Sequence, residues 1–280
     1  VWQIPEEELW ERHQRLKEYL IAFTRHRVLQ ARRQRGEGSE RLHEVSHLLS
    51  PKALTLGFAR RFSTYKRGDL LLRDLDRAVR LFSHDHRPVQ IIFAGKAHPA
   101  DEEGKRIIQR LTEWCRHPAV SRRVAFIEDY DLQTGRMLVQ GVDVWINNPR
   151  RPLEASGTSG QKVCFNGGLN CSVMDGWWPE GYNGRNGWVV GREIPTADQQ
   201  AQDLVDAESL YATLEQEIIP LYYRQDAAGI PREWVRWMKE SICSNAPVFN
   251  TDRMVRDYAV KIYAASSQTT SAAPILATIG

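Results

Sequence analysis

Apolar positions along this chain follow two rhythms. Over residues 7–30 they recur at spacings of three and four, through Leu9, His13, Leu16, Leu20 and Phe23, which predicts one face of a helix. From residue 53 they come in short unbroken runs: ALTLGF (53–58), VQIIFAG (89–95), RVAFIEDY (123–130) and VDVWINN (142–148). These runs are rich in β-branched and aromatic residues, and turn or charged residues bound them. Such runs suit strands buried on both faces of a parallel sheet. Helical spacing returns between them, at Leu71, Leu75, Val79 and Phe82, and again at Ile107, Leu111 and Cys115. The alternation predicts an α/β fold, a Rossmann-like doubly wound parallel sheet whose ligands lie at the carboxyl ends of the strands.

The stretch 154–191 is rich in glycine, with LNCSV and WVV as further strands. So much glycine inside a folded region points to backbone lying close to a ligand. The last third reads as helices. Leu204, Ala207, Tyr211, Leu214 and Ile218 mark one, expected to stop near Pro220. Pro231 opens a second, with Trp234, Trp237 and Met238; Asn250 or Thr251 caps a third, with Met254, Tyr258 and Ile262 on one stripe. The tail 266–280 reads as frayed.

Composition narrows the classes. With 280 residues, 42% hydrophobic and 26% charged, this is an ordinary globular chain of one large or two small domains. A net charge of +3 does not by itself indicate a nucleic-acid partner. No apolar run approaches the roughly 18 residues of a membrane helix. The N-terminal VWQIPEEELWE lacks the basic and apolar parts of a signal peptide. Cys115, Cys164, Cys171 and Cys243 follow no repeating spacing, so free thiols in the cytoplasm are expected. The chain starts without Met and reads as a piece of something longer.

Several motifs bear on chemistry. HEVSH (His43, Glu44, His47) matches the pattern of zinc proteases, but it lies between a loop and Leu-Leu-Ser-Pro, and no His follows His117. A solvated turn of helix is the preferred reading. His84 and His86, two apart before a proline, read as surface. The basic run Arg25 to Arg35 reads as a solvated helix end that complements the helix dipole. GFARRFSTYKRGD (57–69) tells more. It follows a strand and leads into a helix, so Arg60, Arg61 and Lys66 stand where an anion would bind. EASGTSGQK (154–162) has the same character, since Gly157 and Gly160 allow a phosphate-cradling nest. Lys162, flanked by Val163, Cys164 and Phe165, is expected to be partly desolvated, which would lower its pKa and ready it for a Schiff base. A phosphate cup with an imine-forming lysine would suit pyridoxal phosphate, and a plain basic surface loop remains the other reading.

Taken together, GFARRFSTYKR, FAGKAHPAD, FIEDYD and above all EASGTSGQKVCFNGGLNCSVMDGWW resemble the C-terminal half of the α-glucan (glycogen, starch, maltodextrin) phosphorylases. DGWWPEGYNGRNGW resembles the short bacterial or archaeal type, and the likeness spans about residues 5–265. The resemblance implies the C-terminal Rossmann-like domain of a two-domain GT-B glycosyltransferase fold. Residues 1–50 would be a connecting helix and loop from a missing N-terminal domain, 51–198 the cofactor- and phosphate-binding domain, and 199–265 C-terminal helices. The implied activity moves a glucosyl unit from the non-reducing end of an α-1,4-glucan to orthophosphate, giving glucose 1-phosphate. Pyridoxal 5′-phosphate would be held as an imine on Lys162, its phosphate serving as proton relay. By position, Arg61 would hold the substrate phosphate, and Arg60 and Lys66 the cofactor phosphate. Tyr130, Gly157 and Thr158 would line the cofactor, and Glu154, Ala155, Ser156 and Gly157 would meet the sugar. Arg60 stands where animal and plant forms have Lys, Ser63 where they have His, and Ser159, Gly160 and Gln161 where they have Gly-Asn-Met. The expected partners are the glucan, phosphate, the absent domain of the same polypeptide and a second copy of the chain, with no nucleic acid, membrane or metal. The piece alone is expected to be inactive. The rival readings are a nucleotide-sugar-dependent glucosyltransferase of the same fold and a non-catalytic glucan-binding module. Trp177 and Trp178 are expected in a core or domain contact rather than stacked on sugar.

Overall fold

The unbroken apolar runs become the strands of one sheet. A computed structural model describes residues 1–192 and 198–264; the tail 266–280 and the ends of the expected boundaries near 193–197 and 265 lie outside the described residues. In chain order the elements are α1 (Glu6–Gln34), α2 (Ser39–Glu44), β1 (Leu54–Ala59), α3 (Leu75–Ser83), β2 (Val89–Ala94), α4 (Glu102–Trp114), β3 (Val124–Ile127), α5 (Leu132–Gly141), β4 (Val144–Asn147), α6 (Thr158–Phe165), β5 (Leu169–Ser172), α7 (Trp178–Gly181), β6 (Gly187–Val189), α8 (Gln199–Thr213), α9 (Ile219–Tyr223), α10 (Arg232–Asn245) and α11 (Thr251–Tyr258). All strands are parallel, in the order β3-β2-β1-β4-β5-β6. The order reverses between β1 and β4, where loops leave in opposite directions and a crevice opens.

Helices cover both faces, so every strand is buried on both sides. On one face Leu56, Phe58, Ile91, Phe93 and Ile146 meet Phe82, Leu111 and Trp114, with Leu210, Tyr211 and Trp234 from the C-terminal helices. On the other, Ile92, Ile127 and Trp145 meet Leu20 and Ile21 of α1, Leu138 of α5 and Val163 of α6. Gly57 is needed for the β1–β4 contact, since a Cβ there would sit 2.7 Å from Val142 and 3.1 Å from Trp145.

Four helical features depart from the sequence expectations. The helix predicted over 70–82 begins as a 3-10 turn, Leu70–Asp74; Asp74 then caps α3, accepting from Arg77 N at 2.9 Å. The helix expected to stop near Pro220 runs on through a π-turn, Leu214–Ile218, into α9, where Pro220 occupies a first-turn position that needs no N–H. Leu204, Met254, Tyr258 and Ile262, which their spacing puts on apolar stripes, are exposed. The buried face of α1 is also partly polar: His13, Lys17 and Thr24 join Leu20 and Ile21. α1 therefore lies in this domain's own core.

The basic run at the end of α1 is used internally. Arg25 donates to the carbonyls of Leu48 and Leu49, and Arg27 to those of Glu128 and Asp129. Among the described residues no helix is long and apolar enough to cross a membrane.

Candidate active site

The first group of site residues forms where β1 ends. Arg60 N donates to Ala94 O at 3.2 Å and Phe62 N to Lys96 O at 2.9 Å, which extends the β1–β2 pairing into the loop. Gly95 permits this approach; its φ is 145°, and a Cβ would lie 1.9 Å from Arg60 O. Phe62 is buried against Phe58 and Phe126 and anchors the loop. Arg60 Nη2 then donates to Glu154 Oε2 at 2.6 Å, and Lys66 Nζ to Oε2 and Oε1 of the same carboxylate at 2.9 and 3.2 Å. The three side chains are only 5%, 13% and 9% exposed.

Glu154 is fixed from behind. Its N–H donates to Asp175 Oδ2 at 2.9 Å, Gly176 N donates to Asp175 Oδ1 at 2.9 Å, and Trp177 N donates to Ser156 O at 3.0 Å. Burial draws the Arg60 guanidinium below its usual value, and Glu154 opposes that pull. Two cations share the Glu154 carboxylate, and the Asp175 carboxylate also acts on Arg60 from behind it. Arg60 Nη1 and Ser63 Oγ are buried with no hydrogen-bond partner.

The second group lies on α6. Gly157, its N-cap, has φ 87° and ψ 62°, a left-handed conformation that favours glycine. Space is not the constraint, because a Cβ there would find Arg60 Nη2, Glu154 Cγ and Trp177 Cδ1 no nearer than 3.9 Å. The first turn of α6 thus starts beside the Arg60–Glu154 pair, and its free N–H groups favour anions. Lys162 is five residues on, about 7–8 Å along the axis at 1.5 Å per residue. It is exposed, which corrects the expected desolvation. Its neighbours Val163 and Cys164 take the buried side of the short helix, and Lys162 takes the other. Lys162, Ser159 and Phe165 line a recess of about 360 Å³ with Tyr130, Arg136 and Trp145. Burial, then Asp131, pushes the half-buried Tyr130 phenol up.

Arg60, Lys66 and Glu154 are therefore in direct contact, with Gly157 beside them, while Lys162 and Tyr130 share a neighbouring recess. Glu154, expected on sugar hydroxyls, is engaged by the nearest cations. Arg61, Ala155, Ser156 and Thr158 are exposed. Sequence reading missed Asp175 behind Glu154; the turn VMDG after a strand was the available signal. It also missed Arg67, which nothing local distinguishes from the arginines around it. Trp177 and Trp178 are buried, packed on each other and on Phe249 and Tyr182, as a core role requires.

The metal-like motifs take other roles. His43 and His47 are exposed, and Glu44 pairs with Arg32 and Arg41. Among the described residues no group of three or more His, Cys, Asp or Glu is placed to hold a metal ion. The four cysteines are unpaired, and burial pushes the Cys164 thiol up to about 12.

A family model described as carbohydrate phosphorylase matches residues 16–180, which include both groups. The chain is 48% identical over 260 residues to a glycogen phosphorylase of Aquifex aeolicus, covering 93% of this chain and 37% of that protein. It is 48% identical over 263 residues to a maltodextrin phosphorylase of Thermococcus litoralis, covering 94% and 30%. With a glycogen phosphorylase of Mycobacterium tuberculosis the identity is 42% over 272 residues, covering 96% and 32%. The chain thus spans about a third of the length of these curated relatives.

Proposed function

We propose, because this chain belongs to the carbohydrate phosphorylase family, that it is the phosphate-handling part of an α-1,4-glucan phosphorylase. Such an enzyme moves the glucosyl unit at the non-reducing end of a glucan to orthophosphate, giving glucose 1-phosphate. One observation carries the reading: Arg60 and Lys66 converge on Glu154 beyond β1 and β4, while Arg60 Nη1 and Ser63 Oγ stay buried without partners. Buried polar atoms are normally satisfied, so a spare guanidinium donor on Arg60 beside the Lys66 ammonium would suit an anion. Phosphate oxygens suit both.

These residues also fit pyridoxal 5′-phosphate. Lys162 Nζ, accessible in the recess walled by Tyr130, Trp145 and Phe165, would tether it. The first amides of α6 after Gly157, with Arg60 and Lys66, would hold its phosphate. When bound, the cofactor supplies a phosphate monoester whose second pKa, about 6, allows proton exchange at neutral pH. Arg61, exposed next to Arg60, would bind orthophosphate, and the three cations together would offset the repulsion between two phosphates. Glu154, once Arg60 and Lys66 turn to phosphate, would accept hydrogen bonds from glucose hydroxyls and fix the ring. The facing wall and the glucan contacts would come from a further domain of the same polypeptide, which the relatives' greater length supports. Four unpaired cysteines support a cytoplasmic setting.

The test is borohydride reduction of the chain incubated with pyridoxal 5′-phosphate, followed by peptide mapping. The label is expected on Lys162; a label elsewhere, or none, refutes the cofactor site. A nucleotide-sugar-dependent glucosyltransferase would have no use for Lys162.

A further inference from the structure

The loops that carry Lys66 and Glu154 are tied to a helix outside the sheet. Arg67, directly after Lys66, is 3% exposed and adopts the left-handed conformation, with φ 49°. Its guanidinium is fully engaged. Nε donates to Asn148 O at 2.7 Å, Nη2 to Pro149 O at 2.9 Å, and Nη1 to Asp206 Oδ2 at 2.7 Å and Asp203 Oδ1 at 3.3 Å. Asn148 Nδ2 donates in return to Arg67 O at 3.1 Å. Asp203 also receives an arginine from the other loop: Arg150 Nε at 3.1 Å and Nη2 at 2.6 Å. The backbone N–H of Arg150 donates to Tyr65 O at 2.7 Å, immediately before Lys66. Arg150 stands four residues before Glu154. Asp203 and Asp206 both belong to α8, and both are buried.

We infer that Asp203 and Asp206 are positioning residues for the phosphate site: through Arg67 and Arg150 they hold the Lys66 loop and the Glu154 loop at a fixed spacing, so that α8 sets phosphate affinity without touching phosphate. The inference rests on the function proposed above. Two buried carboxylates persist only because arginines neutralise them. A left-handed non-glycine residue persists only where its surroundings over-determine it. At Arg67 that conformation sends one side chain down to α8 while Lys66, one residue earlier, reaches Glu154. An anion site built this way is sensitive to displacements of about an ångström.

Spectroscopic titration of the chain with pyridoxal 5′-phosphate and with pyridoxal isolates the phosphate contribution as a ratio of affinities. Asp203→Asn and Arg150→Gln are each expected to weaken pyridoxal 5′-phosphate roughly tenfold and to leave pyridoxal within about twofold. Arg73→Gln removes a third arginine from Asp203 but belongs to neither loop, so both affinities should hold. Urea midpoints recorded in parallel show which variants fold. Arg150 is partly exposed, so its variant serves should Asp203→Asn fail to fold. Equal losses for both ligands, or a loss for neither in a folded variant, overturn the inference. A wild-type chain that does not distinguish the two ligands overturns the functional reading, and this inference with it.

Discussion

Two carboxylates stand at opposite ends of the same two strands, each between basic side chains. Asp143, just before β4, accepts from His13 Nε2 at 2.9 Å and from Thr55 N at 2.7 Å, and lies 2.7 Å from Lys17 Nζ. Lys17 also donates to Tyr222 Oη at 2.6 Å, with its ammonium 4.9 Å from that ring's centre. Lys17 is 0% exposed, and His13 Nδ1 is buried without a partner. Burial alone would push the Asp143 carboxyl up, but Lys17 and His13 outweigh it and hold it below the usual range. Glu154, beyond the far end of β4, has similar partners but keeps spare donors around it. The sealed cluster ties α1, the sheet and α9 together. The open cluster keeps capacity for a ligand. The same chemistry yields stability where the ions are sealed off, with Lys17 and Asp143 at 0% side-chain exposure, and can serve binding where Lys66 and Glu154 keep 13% and 9%.

Removing Lys17 should have the largest effect. Lys17→Met leaves Asp143 buried with its main counter-charge gone, and a loss of about 3–5 kcal/mol is expected in urea unfolding. A loss below about 1 kcal/mol would erase the distinction between the two ends. Glu154→Gln should do the reverse at the open end. Stability should stay within about 1 kcal/mol, while inorganic phosphate, followed by calorimetry, binds roughly fivefold tighter because its competitor for Arg60 and Lys66 is gone. Weaker binding would show that Glu154 orients the cations instead of occupying them. The smallest effect concerns pH. Asp143 has a lowered folded-state pKa, so its contribution is complete above its unfolded value of about 3.9 and fades as pH falls through the folded value below that. The stability gap between wild type and Asp143→Asn should be constant from about pH 8 to 5 and shrink below about pH 4. A gap that narrows already near neutrality would overturn this account of Asp143.

The strands were legible because a parallel sheet covered on both faces demands unbroken apolar runs, and β1 to β4 show them plainly. α5 and α6 were not: one is short and carries Gly135, and the other is eight residues long and starts inside a glycine-rich nest. Arg60 and Lys66 could be picked out because a strand end places their charged loop in the crevice, whereas Glu154 came only from the family resemblance. Their supports could not. Asp206 is 139 residues from Arg67, and no local pattern announces a pairing that distant. Lys17 was passed over because lysine is rarely buried completely, and a lysine among helical polar positions reads as solvated.

The embedding of α1 also fixes where this polypeptide can be severed. A cut just after Ile21 would separate Lys17 from Asp143 and take Leu20 and Ile21 away from Ile92 and Trp145. The long first helix must therefore travel with the sheet in any division of the protein into separately expressed pieces.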